Sequence, residues 1–92
     1  HVQPLRILAD GRYVLRGDCP VNVWEEESGV RLGTEAATMA GYASQVLGRL
    51  PEKGDRFEAA GHTFNVLKAG REGAALMLVE RLGEAEGEEK SG

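Results

Sequence analysis

The chain offers few side chains able to make or break bonds: one cysteine, Cys19, and two histidines, His1 and His62. A catalytic Cys–His pair needs an imidazole beside the thiol and a third group to orient it. Cys19 instead precedes Pro20 in an apolar setting and reads as a small buried hydrophobe. His62 falls in the Ala60-Gly61-His62 turn and is expected to face solvent, and His1 stands at the terminus. No catalytic residue is assigned. Structural zinc usually takes four Cys or His ligands, one more than the chain contains. Glu25, Glu26 and Glu27 suggest a hard-cation site, but consecutive helical positions diverge and cannot converge on one ion. They read as a solvated helix face. The run from Glu84 to Glu89 could attract divalent cations loosely, without the preorganisation of a site. No metal ligand is assigned. Neither Gly-x-x-x-x-Gly-Lys-Ser/Thr nor a strand-to-helix Gly-x-Gly-x-x-Gly occurs, so cofactor-binding residues stay unassigned.

These groups must be carried by a single small domain, since 92 residues suffice for one core and not for two. Aromatic residues make up only 5%, so the core rests on Leu, Val, Ala and Met, and thirteen glycines predict short elements with many turns. The net charge of −4 is uneven: segment 83–92 carries four Glu and one Lys, leaving −1 on the remainder. Without a basic field, nucleic-acid binding is not expected. A lone cysteine excludes an internal disulfide and suits a reducing compartment. No apolar run approaches the roughly 20 residues of a membrane span. No signal peptide is read either, and the chain, beginning at His1 without an initiator Met, reads as a fragment of a longer protein.

The elements follow from period and turn chemistry. Residues 5–8 and 12–16 flank Asp10-Gly11, a hairpin signal, with Tyr13 and Leu15 on one face and Val14 on the other. A short helix follows Pro20, with Asn22 and Glu25 as a capping box, Val21 as staple, Trp24 facing the core and Gly29 as the stop. Thr38 caps a second helix in which Met39, Tyr42, Ala43, Val46, Leu47 and Leu50 recur at three- and four-residue spacing. Gly48 and Pro51 end it. Gly41 inside it costs about 1 kcal/mol relative to Ala, which close approach to a sheet would offset.

From Gly54 the period changes to two: Phe57 and Ala59, then Phe64 and Val66, with turns at Ala60-Gly61 and at 70–73. The apolar run 74–82 reads as a central or covered strand. The expected fold is α+β in the order β-β-α-α-β-β-β, an antiparallel sheet with two short helices on one face. Residues 1–4 read as a flexible leader, 5–82 as the domain, and 83–92 as a disordered acidic tail.

The run Ala9-Asp10-Gly11-Arg12-Tyr13-Val14-Leu15-Arg16-Gly17, then Pro20-Val21 and Trp24, resembles the opening of the CorC/HlyC transporter-associated domain. Thr38-Met39-Ala40-Gly41-Tyr42, Leu47-Gly48-Arg49-Leu50-Pro51, Gly54-Asp55, Phe64-Asn65-Val66-Leu67 and the stretch from Leu76 to Leu82 extend the resemblance over roughly 5–82. The ordered series, not any one motif, carries it. Glu27 and Ser28 depart from it, standing where the family has apolar side chains.

The resemblance implies a non-catalytic regulatory domain that follows CBS modules and a membrane domain in hemolysin-like proteins linked to magnesium and cobalt efflux. It implies a place on the cytoplasmic side of the membrane, contacts with the CBS modules or a second copy as a homodimer, and a fold similar to a fragment of the vanillyl-alcohol-oxidase-type FAD-binding domain. No flavin-contacting residue is carried over. The alternative it raises is a small-molecule sensor for FAD or an adenine nucleotide.

Overall fold

The computed structural model describes residues 3–9 and 11–82. Residues 1–2, Asp10 and the expected tail 83–92 lie outside that set. Seven elements follow in order: β1 (Leu5–Ala9), β2 (Arg12–Arg16), α1 (Val21–Ser28), α2 (Met39–Leu47), β3 (Arg56–Ala59), β4 (His62–Gly70) and β5 (Gly73–Arg81). The strands form one antiparallel sheet in the order β1-β2-β5-β4-β3. The apolar strand β5 is central, because a strand flanked on both sides has no edge to protect.

The alternation expected in β2 holds: Tyr13 and Leu15 are buried, and Val14 on the other face is half-buried. Leu15 pairs with Met77, and Met77 with Val66, so one buried row runs across three strands. Phe64 stacks on Phe57 with centroids 4.8 Å apart. It also meets Trp24 of α1 edge-on at 5.4 Å and Tyr42 of α2 at 6.2 Å. A strand residue points to one face only, so both helices lie on the same side of the sheet. Trp24, Leu15, Met39, Met77, Val79 and Cys19 are fully buried there. Each large aliphatic so buried stabilises the fold by about 1.5–3 kcal/mol.

Two turns are tight. Ala60 and Gly61 both take positive φ, 52° and 76°, as a two-residue hairpin with the right twist demands. The β4–β5 hairpin closes on Arg71 and Glu72, with Gly70 paired to Gly73. Pro4 is half-buried and its carbonyl accepts the Arg16 N–H at 2.9 Å, so β2 has a partner just before β1 begins.

The helices depart from expectation in three ways. The Asn22–Glu25 capping box does not form: Pro20 is the N-cap and contributes no side-chain bond. Its carbonyl accepts from Val23, while the Val21 N–H goes to Ala37 O. The backbone bridge between Pro20 and Thr38 starts the helix early and leaves Asn22 inside it. Gly41 is exposed and makes no close approach to the sheet; an added methyl would meet Thr38 Oγ1 at an ordinary 3.4 Å. Val46 is 42% exposed, and Leu50, expected on the same helical stripe, falls beyond the left-handed Gly48 that ends α2 and is 57% exposed. Gly29 and Gly48 end their helices in the left-handed conformation, with φ 81° and 76°. Thr38 caps α2 by accepting the Gly41 N–H at 3.2 Å.

Candidate functional site

Cys19 is fully buried, and its Sγ reaches the Pro20 carbonyl at 3.5 Å. Burial, and secondarily the Asp18 carboxylate, push its thiol up to about 11. A thiol so placed stays protonated at neutral pH and is a poor nucleophile.

His62 does not face solvent as the sequence suggests; it is 4% exposed. It is the first residue of β4, and alternation with Phe64 and Val66 turns it toward the helices. Its ring meets Trp24 edge-on at 5.2 Å and lies 6.3 Å from Tyr13. Nδ1 sits 2.9 Å from Ala60 O, so the nitrogen that bonds there carries the proton. The thiol's hydrogen bond goes to Pro20 and the imidazole's to Ala60, so neither group serves the other.

The three glutamates also separate. Glu26 and Glu27 are exposed as expected, but Glu25 is half-buried and accepts the Leu32 N–H at 2.8 Å. That bond folds the loop after α1 back over the helix. Ser28 donates its hydroxyl to Trp24 O at 2.7 Å. Among the described residues, no three of His, Cys, Asp and Glu gather closely enough to hold a metal ion.

A groove of about 570 Å³ opens where β2 gives way to the Gly17-Asp18 turn, between the start of α2 and the tip of the β4–β5 hairpin. The Arg16 guanidinium grips Asp18 through two bonds of 3.1 and 2.8 Å on one wall. Arg71 and Glu72 stand on the other. Gly17 forms the floor, where its N–H bonds Ala75 O at 2.9 Å. A helix start beside a groove is a potential anion site, but its donors are spent. The Met39 N–H goes to Cys19 O and the Ala40 N–H to Gly17 O, both at 2.8 Å, while Gly41 is held by Thr38. The groove has charged walls and a small-residue floor suited to a polar segment. Sequence reasoning missed it, since neither Gly17 nor Asp18 belongs to a motif that marks a site.

A second polar cluster fixes the loop after α2. Arg49 holds Asp55 through bonds of 2.8 and 3.0 Å, and Asp55 also accepts the Glu52 N–H at 2.8 Å. The Arg49 hydrogen bonds, then that backbone bond, lower the Asp55 carboxyl to about 2. This is a structural clasp over the Leu50-Pro51 bend. Among the described residues, no helix is long and apolar enough to cross a membrane.

The protein family described as a transporter associated domain, CorC_HlyC, matches residues 6–82. No curated protein matches the chain. Solved structures share its fold. A region associated with a putative Mg2+ and Co2+ transporter (CorC) from Neisseria meningitidis MC58 has a TM-score of 0.80 at 21% identity, covering 87% of this chain and 100% of that one. A CorC_HlyC domain from a Xylella fastidiosa Temecula1 hemolysin, in complex with Mg++ and Mn++, has a TM-score of 0.76 at 23% identity over 88% and 100% of the two chains. The transporter associated domain of a CBS domain protein from Porphyromonas gingivalis has a TM-score of 0.74 at 20% identity over 87% and 99%.

Proposed function

The chain belongs to the CorC_HlyC transporter-associated family, and on that premise we propose that it is a non-catalytic accessory domain of a membrane ion transporter. It acts through protein–protein contacts at the cytoplasmic end of the full-length protein. The observation that carries this reading is the fate of the reactive side chains. The thiol of Cys19 is buried and held protonated, and the His62 ring is consumed by core packing and one backbone bond. What remains for function is surface.

The partners proposed are the CBS modules and membrane domain of the same protein, with homodimer formation through a second copy. The ions proposed are magnesium and cobalt. Support comes from the kinds of proteins that carry similar domains, a CBS domain protein and a putative Mg2+ and Co2+ transporter. To act on transport, the domain must contact two transporter states unequally. Deleting 5–82 from the full-length protein should therefore alter ion flux or its response to ions and nucleotides. Flux unchanged across both series would refute the regulatory reading.

A second reading, a sensor for FAD or an adenine nucleotide on a fold like a flavoenzyme fragment, draws on the groove beside Gly17. Its volume lies within the ~300–1,000 Å³ of small-molecule sites. Against it, the α2 amides that would meet a phosphate are already bonded. A ligand at about 100 times its Kd stabilises a fold by ~2.7 kcal/mol. Thermal melts with FAD, ATP and magnesium would detect that gain, and unchanged melting with all three removes this reading.

A further inference from the structure

The sheet face turned away from the helices carries a second pattern. One cross-strand row spans all five strands: Arg6, Val14, Leu78, Asn65 and Arg56, each paired with the next. Val14 and Leu78 at its centre are half-buried, and exposed arginines stand at both ends. Arg16, Leu76 and Lys68 form a neighbouring row. Arg12, Glu80, Thr63 and Glu58 form the row on the other side. Five cations thus share this face with two carboxylates, in a chain whose net charge is −4. Arg12 is paired with Glu80 and Arg16 with Asp18. Arg6, Arg56 and Lys68 make no ion pair among the described residues.

We propose that the acidic segment 83–92 docks in cis across this face, setting its glutamates against Arg6, Arg56 and Lys68 over the Val14–Leu78 centre. Three observations favour that occupant. The segment carries Glu84, Glu86, Glu88 and Glu89, the densest acidic stretch of the chain. It leaves the sheet from the end of β5, the middle strand of this same face. Its ten residues can reach at most ~33–36 Å, whereas four strand spacings amount to about 19 Å. A second copy presenting the same face would set cations against cations. Exposed ion pairs are individually weak and salt-sensitive, so the docking depends on several at once and on the high effective concentration of a tether. Any acidic partner of this face must then displace the segment.

Two-dimensional amide NMR of the 92-residue chain tests this. The spectrum is compared with that of the same chain bearing Glu84→Gln, Glu86→Gln, Glu88→Gln and Glu89→Gln. The expected result is a shift difference at Val14, Asn65, Leu76 and Leu78 that collapses in about 1 M salt, where screening acts within roughly 3 Å. Arg6→Gln with Arg56→Gln in the unaltered-tail chain should reproduce the neutralised-tail spectrum at Val14 and Leu78. Differences confined to the segment and its immediate neighbours would overturn the proposal. So would shifts that grow with protein concentration, which would place the segment on a second copy.

Discussion

The backbone of Gly17 lies against the carbonyl of Ala74 so closely that a Cβ there would stand 2.0 Å from that oxygen. Two bonds lock the approach: Gly17 donates to Ala75 O, and its carbonyl accepts from Ala40 at the start of α2. Neither atom belongs to a flexible side chain, so nothing nearby can give way. Gly17→Ala should cost at least about 2 kcal/mol, lowering Tm by roughly 10 °C in a domain of this size. Gly70, with open space around its Cβ position, is the control. Gly70→Ala should be neutral or stabilise by up to ~1 kcal/mol. Equal effects in thermal melts would refute the steric account.

Trp24 tests what an unpartnered donor is worth. Its ring is fully buried, and Nε1 makes no hydrogen bond among the described residues. Trp24→Phe keeps most of the contacts with Phe64 and His62 and removes an N–H that gains nothing from burial. We expect a cost below about 1.5 kcal/mol, against ~3–5 kcal/mol for Trp24→Ala. Urea unfolding followed by circular dichroism measures both. A Phe variant as unstable as the Ala variant would show that the indole N–H has a partner after all.

The Cys19 thiol gives a pH signature. Burial pushes the thiol up from the usual 9.0 to about 11, so the folded state favours the proton. That stabilisation is complete below pH 9 and is lost as pH rises from there through about 11. Because only the thiolate reacts, a thiol held near 11 slows native alkylation at pH 8 by roughly 100-fold relative to the unfolded chain. Alkylation of the native protein at the unfolded rate would show that the thiol is accessible and ionised.

Asp55 has the opposite sign. Its carboxyl is held at about 2, below the usual 3.8, chiefly by the Arg49 hydrogen bonds. It therefore supports the fold above pH 4 and loses that support as pH falls through about 2. Arg49→Gln should raise the Asp55 titration toward ~3.9, read from its side-chain carboxyl signal by NMR. An unmoved titration would assign the depression to the Glu52 backbone bond instead.

Much of this architecture is legible in the residues alone. The change from a three-and-four to a two-residue period places the helices and strands. Gly29, Gly48, Ala60-Gly61 and the 70–73 turn mark their ends, because turn and cap chemistry act within a few residues. Trp24 facing inward follows from the same local geometry. Where reasoning from short windows fails, a distant segment has intervened. Asn22 looks like a cap until Thr38 pins Pro20. Glu25 looks solvated until Leu32 folds back to it.

The order of residues by itself determined the element order, the α+β class and the scarcity of reactive groups, since each depends on composition or on neighbours in the chain. Tertiary structure decided that β5 sits centrally beside β2, that His62 lies inside the aromatic cluster, and that Gly17 rather than Gly41 is the point of closest approach. It also left Val46 and Leu50 uncovered and gathered five cations on the helix-free face. Those outcomes arise from pairings such as Leu15 with Met77, where burial across the whole sheet outweighs any preference read within one element.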